Sequence, residues 1–375
     1  MSQKPLVIDA DGHILEAADY AEKYLEEKYR SRAIRIRRDG DGLEFLEYDG
    51  KPAAMLPHGI LHTLGAMGCE PAQLAPSKEK SYAGSAPFGS MSMKERIELL
   101  DQEGIDKAIL YPTIGLLWEA EVEDPEITVA YCRAYNRWIA DFCRDSGGRL
   151  IPIAHLSLLD IPAAVVELER AVKDGCRGAF VAPFNHARRA HGHPDHDPLF
   201  AKFQELDVPF AIHPTFEPVS LMPRRFTELE RAIWYHQIMA CHACQIAFTT
   251  LFSFGVFDKF PRLKTVVLES GAGWIGYWVD RMDALYEVPI NRAQLKNPPS
   301  HYIRTQCWFS ADPDERAIAG LAKFIGDDRF FWASDFPHSD HGREYMKELH
   351  GLLGRMPEPA AAKLAGRNVA ELYGI

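Results

Sequence analysis

The sequence has no surplus of positive charge, no long uninterrupted apolar run and few cysteines. Its 42 lysines and arginines are outnumbered by 53 aspartates and glutamates, which gives a formal net charge of −11 at pH 7. Because binding to nucleic acid or to an anionic membrane requires cations that neutralise phosphate, this balance argues against both partners. Charged residues or histidines interrupt every long hydrophobic stretch, so no membrane-spanning helix is expected.

The seven cysteines in 375 residues are odd in number and scattered, which is typical of reduced thiols rather than of a disulfide framework. The segment 1–13 has neither the apolar region nor the small-residue cleavage site of a secretory signal. We therefore expect a cytoplasmic protein. Cys241 and Cys244 have C-x-x-C spacing, but they lie in a long apolar helix predicted at 229–252, which favours core packing over a metal or redox site.

Short β-rich runs alternate with longer helical patterns, as they do in parallel βα units. Several of these runs are apolar throughout, which is typical of strands covered on both faces. The order predicts an α/β fold, a (β/α)8 TIM barrel, in a single domain that covers residues 1–375. The eight predicted strands span residues 7–13, 107–111, 150–156, 178–182, 209–213, 265–269, 303–309 and 330–335.

Residues from about 17 to 93 interrupt the alternation between the first strand and its helix. A hairpin is predicted at residues 43–51, where alternating residues lead into an Asp-Gly turn. An insertion after a barrel strand lies on the catalytic face, so a lid or a dimer arm is one interpretation and a passive surface excursion is an equal alternative. The insertion is also the reason to expect a homo-oligomer, namely a dimer.

Four of the predicted strands end in acidic or imidazole side chains. Asp11 and His13 end the first, His213 the fifth, Glu269 the sixth and Asp335 the eighth. Catalytic groups of a barrel lie at these carboxyl ends, and residues two apart on a strand point to the same side. Nitrogen and carboxylate donors together suit zinc, manganese or iron better than calcium or magnesium. Any one of these residues could be structural, but four convergent strand ends favour a metal site.

The segments VIDADGH, AIHP, FPRLKTVVLESGAGW and FWASDFPH, in this order, resemble the amidohydrolase-related family that includes aminocarboxymuconate-semialdehyde decarboxylase. The resemblance runs from residue 7 to the final AKLAGRNVAELYGI and omits much of the insertion. It implies a metal-dependent TIM barrel with ligands from the first strand, His213 and Asp335. Members often begin with His-x-His, where this chain has Asp11 and His13, similar to the acidic variant of some aromatic-acid decarboxylases. Many also carry a histidine where this chain has Glu269.

Both departures add carboxylate to the expected site. Glu16, one turn beyond His13, is a further candidate, either as a metal ligand or as an acceptor that orients His13. Carboxylates bridge metal ions well, so two ions per chain are one alternative. The fourth strand supplies no bridging lysine or glutamate, which favours one tightly held ion with a weaker second position. The candidate ligands are Asp11, His13, Glu16, His213, Glu269 and Asp335.

The leading hypothesis is a metal-dependent hydrolase in which activated water attacks the carbonyl of a small aromatic or apolar carboxylic-acid derivative. Asp335 would accept the water proton, and Glu269 would be a general acid or base. His338 would stabilise charge on the substrate, or simply hydrogen-bond to the Asp335 segment. The alternative is a non-oxidative decarboxylase of an aromatic or unsaturated acid, which the Asp-x-His start supports and the missing histidine opposes. A hydratase and a barrel that binds without turnover are further alternatives.

Three weaker features bear on substrate binding. The histidine-rich segment 186–196 could bind a second metal or, through Arg188 and Arg189, a substrate carboxylate, although a polar loop is the commoner outcome. The Gly-Ala-Gly segment 271–273 could cradle an anion or form a close-packed turn. Aromatic side chains near the strand ends favour a flat substrate; they are Trp118, Phe216, Trp274 and Trp308.

Overall fold

The computed structural model describes residues 5–218, 220–221, 233–291, 295–339 and 341–375. The apolar helix predicted at 229–252 therefore has its first four residues outside the described part, and its remainder forms a helix, Ile233–Ser253. No helix in these ranges is both long and apolar enough to cross a membrane. The cytoplasmic location stays a prediction.

A parallel barrel with eight strand positions forms the body of the molecule. Its third position is divided at Ile153, whose N–H donates to Leu110 O at 3.3 Å. The barrel closes between the last and first strands, because Asp335 N donates to Asp11 O at 2.9 Å. The barrel strands, in order of pairing, are β1 (Ile8–Ile14), β5 (Lys107–Pro112), β6 (Leu150–Pro152) with β7 (Ala154–His155), β8 (Ala179–Val181), β9 (Phe210–Ile212), β10 (Thr265–Val267), β11 (Cys307–Ala311) and β12 (Phe330–Trp332); β2 to β4 belong to the insertion.

The helices cover the outside of the barrel. They are α1 (Tyr20–Tyr24), α2 (Met93–Glu103), α3 (Pro125–Arg144), α4 (Ile161–Lys173), α5 (Asp197–Leu206), α6 (Ile233–Ser253), α7 (Val256–Lys259), α8 (Trp274–Tyr286), α9 (Pro299–Gln306), α10 (Ile318–Phe324), α11 (Tyr345–Leu353), α12 (Glu358–Ala362) and α13 (Asn368–Tyr373). Asp160 caps α4, accepting from Ala163 N at 2.9 Å. Gly104 ends α2 in the left-handed conformation that glycine adopts without strain.

The predicted seventh strand begins four residues too early. Residues 303–306 belong to α9, and the strand starts at Cys307. Pro299 occupies the first turn of α9, where proline needs no N–H partner and favours helix. Residues 303–306 were therefore assigned to the wrong element, although all eight predictions overlap the observed strands.

The barrel interior is filled rather than open. The inner cluster includes Ile8, Ala10, Ile109, Tyr111, Ile151, Phe180, Ala211, Val266 and Phe331. Trp308 packs on this cluster beside Leu6 and Ile375, away from the strand ends that carry the site. Trp118 is 1% exposed. These two tryptophans therefore do not form the predicted substrate wall, and a filled interior confines chemistry to the carboxyl ends of the strands.

The insertion is folded onto the barrel. It contains an antiparallel sheet of β2 (Arg35–Arg38), β3 (Glu44–Tyr48) and β4 (Lys51–Pro52), so the predicted hairpin is confirmed. Leu15 N donates to Ser90 O at 2.7 Å, and Met67 N donates to Pro337 O at 3.1 Å. The insertion is thereby tied to the ends of both the first and the eighth barrel strands.

Candidate metal centre

An extra residue in β1 directs its acidic and imidazole side chains inward. Asp9 pairs with Ala108 and Gly12 with Leu110, so β1 advances three residues where β5 advances two. Such a bulge reverses the alternation of side chains between the two faces of a strand. Ile8 and Ala10 face the barrel interior before the bulge. After it, the odd-numbered Asp11 and His13 take the inward positions at the mouth of the barrel.

Both inward histidines are held with the same nitrogen directed into the site. His13 Nδ1 lies 2.7 Å from Pro112 O, and His213 Nδ1 lies 2.6 Å from Pro214 O. A carbonyl oxygen can only accept, so each Nδ1 carries a proton, and in the neutral imidazole Nε2 is then the nitrogen that keeps a lone pair. No hydrogen-bond partner of either Nε2 exists within the described residues. This arrangement is the usual way in which a metal-binding imidazole is oriented.

Five side chains converge on the space in front of these lone pairs. His13 Nε2 lies 3.5 Å from Asp11 Oδ1, 3.5 Å from Glu269 Oε2 and 3.2 Å from Asp335 Oδ1. His213 Nε2 lies 3.4 Å from Asp11 Oδ1 and 3.2 Å from Glu269 Oε2. Two ligands that share one ion through bonds of about 2.1 Å lie roughly 3.0–3.4 Å apart at tetrahedral or octahedral angles. The spacing therefore fits a single divalent ion.

Burial gives this cluster its electrostatic character. Asp11 is fully buried, and neither of its carboxylate oxygens meets a hydrogen-bond donor in the described part of the chain. An unpaired buried carboxylate is costly unless a cation compensates it. Burial, followed by the neighbouring His338 and His213, holds the pKa of His13 well below its usual range. A neutral His13 is the form that can bind a metal.

Two of the carboxylates stand on unusual backbone. Glu269 has a φ of 38° and Asp335 has a φ of 53°; both values lie in a backbone region that residues other than glycine rarely adopt. The surrounding strands enforce it, since Glu269 N donates to Ser310 Oγ at 3.0 Å and Asp335 N to Asp11 O at 2.9 Å. Each turn occurs just beyond a strand end and brings its carboxylate to the cluster. Backbone strain of this kind concentrates at functional sites.

His338 accompanies Asp335 rather than standing alone. His338 Nδ1 lies 2.8 Å from Asp335 Oδ1, its Nε2 lies 3.0 Å from Thr113 Oγ1, and its ring centroid is 4.0 Å from that of His13. Sequence reasoning missed Thr113 and also His341, whose Nε2 lies 3.5 Å from Asp335 Oδ2. Thr113 follows directly on the end of β5, and that position is the signal that would have found it. His341 lies nine residues beyond the end of β12, and no comparable signal in the sequence marks it.

Glu16 is not part of the cluster, contrary to the sequence expectation. Its carboxylate accepts from the backbone N–H groups of Ile114 at 2.8 Å, Gly115 at 2.9 Å and Thr113 at 3.3 Å. Burial raises the pKa of Glu16 to about 7, although these hydrogen bonds oppose the rise. Three amides occupy this carboxylate, and the Nδ1 of His13 already has Pro112 O as its acceptor.

The other candidate anion sites hold partners from the chain itself. The Gly-Ala-Gly turn 271–273 does cradle an anion, but this anion is Glu315, which accepts from Ala272 N and Gly273 N at 2.9 Å. In the histidine-rich segment, His191 Nε2 lies 2.8 Å from Ala182 O. Arg189 forms an ion pair with Asp195 at 3.0 Å. The described residues of the segment 186–196 contain no metal-binding group.

A parallel barrel with two imidazoles and three carboxylates gathered at its strand ends defines a metal-dependent barrel enzyme. A family model described as Amidohydrolase matches residues 89–375. The chain therefore belongs to the amidohydrolase family, as its motifs predict. Its cofactor is a divalent metal ion, for which the converging donors provide a fitting site.

Known relatives place this chain near decarboxylases. It is 30% identical over 245 residues to a decarboxylase of Emericella nidulans, covering 60% of this chain and 70% of the relative. It is 26% identical over 267 residues to gamma-resorcylate decarboxylase of a Rhizobium species, covering 67% of this chain and 79% of the relative. The solved structure of 5-carboxyvanillate decarboxylase from Novosphingobium aromaticivorans, with bound manganese and 3-methoxy-4-hydroxy-5-nitrobenzoic acid, has a TM-score of 0.70 and 20% identity, over 100% of this chain and 98% of that one.

Proposed function

We propose that the protein is a metal-dependent, non-oxidative decarboxylase of a small hydroxylated aromatic acid. The observation that carries this proposal is the similarity to relatives named for that reaction over 70–79% of their own length. Gamma-resorcylate and 5-carboxyvanillate are both hydroxylated aromatic acids. The hydrolase favoured first from the sequence receives less support from the comparisons, and it stays a prediction.

The metal ligands in this proposal are the five side chains that converge at the barrel mouth. When bound, a divalent ion would supply the positive charge that holds the substrate carboxylate and a neighbouring oxygen. Manganese is our choice of element, because it accepts mixed imidazole and carboxylate donors. The proposed ligands are Asp11, His13, His213, Glu269 and Asp335.

Decarboxylation requires one proton at the ring carbon. The bond between that carbon and the carboxylate breaks, carbon dioxide leaves, and a C–H bond forms in its place. We assign the proton to Asp335 Oδ2, which lies 3.5 Å from His341 Nε2. The His341 side chain is 22% exposed, so it can replace the proton from solvent. His338 holds the other oxygen of Asp335 and is a positioning residue in this proposal rather than a substrate contact.

An apolar cluster just beyond the fourth barrel strand suits an aromatic ring. Met55 of the insertion packs with Ala182 and Phe184, which follow the fourth barrel strand. The backbone N–H groups of Ala54 and Met55 donate to the Glu121 carboxylate at 2.6 and 3.1 Å. We propose that the insertion is a fixed wall of the substrate pocket. The dimer, expected from the same insertion, stays a prediction.

Deuterium incorporation tests the reaction directly. The manganese-loaded protein is incubated in D2O with 2,6-dihydroxybenzoate and with other hydroxybenzoates, and aryl esters are included as hydrolase substrates. A decarboxylase releases carbon dioxide and leaves one deuterium at the carbon that carried the carboxylate. Asp335→Asn should abolish this turnover while the fold, measured by circular dichroism, is retained. Ester cleavage without carbon dioxide would instead establish the hydrolase.

A further inference from the structure

A buried polar group lies directly beneath the metal centre, on the outer side of the first and eighth barrel strands. The Asp9 carboxylate accepts from Ser334 N at 2.9 Å and from Ser334 Oγ at 2.6 Å. Ser334 Oγ in turn accepts from Phe336 N at 3.0 Å. Asp9 is two residues before Asp11, and Ser334 is the residue before Asp335. The hydrogen bonds between Asp9 and Ser334 therefore join the two strands that supply three of the five proposed ligands, Asp11, His13 and Asp335.

Arg96 completes the group from α2. Its side chain is 1% exposed, and its Nη2 donates to the carbonyl oxygen of His13. The guanidinium lies 4.7 Å from the centroid of the Phe336 ring. Burial lowers the pKa of Arg96, and the nearby Asp9 carboxylate opposes that shift. A buried arginine is rare unless it is paired. Arg96 thus contacts the residues that bracket the metal centre on both strands.

The lack of a side chain at Gly12, within the bulge, leaves room for the buried side chains of Asp9 and Arg96. A Cβ at this position would lie 2.7 Å from Asp9 Oδ2 and 3.5 Å from Arg96 Nη2. The space that a side chain would fill is therefore taken by the two charged groups. The same bulge turns Asp11 and His13 into the barrel. The Asp9 and Arg96 side chains therefore contact the part of β1 that determines the direction of these two ligands.

We propose that Asp9, Arg96 and Ser334 are positioning residues that set the separation of the first-strand and eighth-strand ligands, and thereby tune the metal affinity. This inference rests on the metal centre proposed above but not on the reaction assigned to it. A merely structural role would lower stability without a specific effect on the metal. Partners that orient metal ligands typically change affinity by roughly 10–100-fold when removed.

The test measures manganese binding without any substrate. Isothermal titration gives the dissociation constant, and the electron paramagnetic resonance spectrum of bound Mn²⁺ reports its coordination. Arg96→Met should raise the dissociation constant about 10–100-fold and change the spectrum. Arg96→Lys, which keeps the charge and a donor for His13 O, should restore most of the affinity. The double variant of Asp9→Asn with Arg96→Met should lose less than the two single losses combined, because interacting residues are not additive.

Arg149 provides the matched control at the opposite end of the barrel. It also donates to backbone carbonyls next to a strand, those of Ile105 and Asp106. Arg149→Met should reduce thermal stability and leave manganese affinity unchanged. An equal loss of affinity in Arg149→Met and Arg96→Met would overturn the positioning role.

The outcomes separate this inference from the metal centre itself. If Asp11→Asn loses manganese while Arg96→Met binds it like the wild type, the centre stands and the positioning role fails. If the wild-type chain binds no manganese, both fail. Should Arg96→Met not fold, Ser334→Ala decides, because it removes one hydroxyl from the group: a measurable loss of affinity supports the proposal, and wild-type affinity overturns it.

Discussion

The catalytic end of the barrel contains two kinds of buried carboxylate. Glu16 and Glu315 are each held by backbone N–H groups of a turn, Thr113–Gly115 for the first and 271–273 for the second. Asp11 is equally close to the barrel mouth, but its oxygens meet no hydrogen-bond donor within the described residues and face two imidazole nitrogens instead. In the first kind, backbone N–H groups compensate the buried negative charge. In the second kind, represented by Asp11, a cation is needed to compensate it.

This difference separates structure from function better than burial or charge alone. A carboxylate that accepts several amide hydrogen bonds is satisfied and fixes a turn. A carboxylate left without donors beside two imidazoles is destabilising in the isolated chain, and a bound metal ion would offset that cost. We therefore expect that removing the charge of Asp11 changes metal binding, whereas removing the charge of an amide-bound carboxylate such as Glu16 changes only stability.

The largest expected effect is that of Asp11→Asn. The substitution keeps the shape of the side chain and removes the charge that faces His13 and His213. We expect manganese affinity to fall by more than the roughly 100-fold seen for outer partners, with turnover lost in proportion. Thermal stability without metal should rise or stay equal, because an uncompensated buried charge disappears.

Glu16→Gln is the matched control for Asp11→Asn. It removes a carboxylate of similar burial five residues away in the same chain segment. Manganese titration should give the wild-type dissociation constant for Glu16→Gln. A loss of affinity comparable with that of Asp11→Asn would break the distinction between the two kinds of carboxylate.

The sequence predicted the barrel and the strand ends correctly because βα alternation and short apolar runs are local properties of the chain. It brought together Asp11, His13, His213, Glu269 and Asp335 by the rule that strand ends share one rim. It did not predict the bulge after Asp9, since pairing register depends on the neighbouring strand. Without that bulge, the same alternation rule would have directed Asp11 and His13 outward.

The second largest effect is expected at Glu269, whose carboxylate faces the imidazoles as Asp11 does but is partly exposed to solvent. Its side chain is 19% exposed, and Oε2 lies 3.2 Å from His213 Nε2. We expect Glu269→Ala to weaken manganese binding about 10–100-fold. Glu269→His should retain binding to within about tenfold of wild type, because imidazole is also a ligand and histidine tolerates positive φ better than most residues. Wild-type affinity in both variants would show that Glu269 does not bind the metal.

The third prediction concerns the pH dependence of stability. The pKa of Glu16 is about 7 in the folded chain against 4.5 ordinarily, so the folded state binds this proton more tightly than the unfolded chain. The associated stability is complete below pH 4.5 and is lost as the pH rises through about 7. Between pH 5 and pH 8 the free energy of unfolding should fall about 2–3 kcal/mol further in wild type than in Glu16→Gln. Urea unfolding at both pH values measures this, and parallel changes in the two proteins would contradict it.

Sequence reasoning misplaced Glu16 for a physical reason. The position one turn beyond His13 assumes that the chain stays near the barrel mouth, and the sequence does not show that the turn at Thr113–Gly115 presents three N–H groups to it. Likewise, the turn 271–273 has the composition of an anion cradle, but only the fold shows that Glu315 fills it. Long-range competition for a donor is not a local property.

The smallest effect is expected at Glu121, a third carboxylate bound by amides. It accepts from Ala54 N and Met55 N and so holds the insertion against the apolar cluster. Glu121→Ala should raise KM a few-fold by loosening the wall, with kcat and manganese affinity unchanged, and should reduce the free energy of unfolding by about 1 kcal/mol. Steady-state kinetics on the substrate found by the deuterium assay checks this. Glu123, whose side chain is 78% exposed, supplies the control, and Glu123→Ala should leave KM unchanged.

Glu121→Ala also distinguishes a pocket wall from a dimer arm, because a change in the wall alters KM and a change in a dimer arm alters subunit association. If the insertion acts within one chain, the KM of Glu121→Ala is independent of protein concentration and the sedimentation behaviour is that of wild type. If it acts between chains, dissociation of the oligomer changes first, and KM follows the protein concentration. An unchanged KM together with weakened association would therefore assign the insertion to assembly, and the amide-bound carboxylate at Glu121 would still be structural, as the comparison with Asp11 requires.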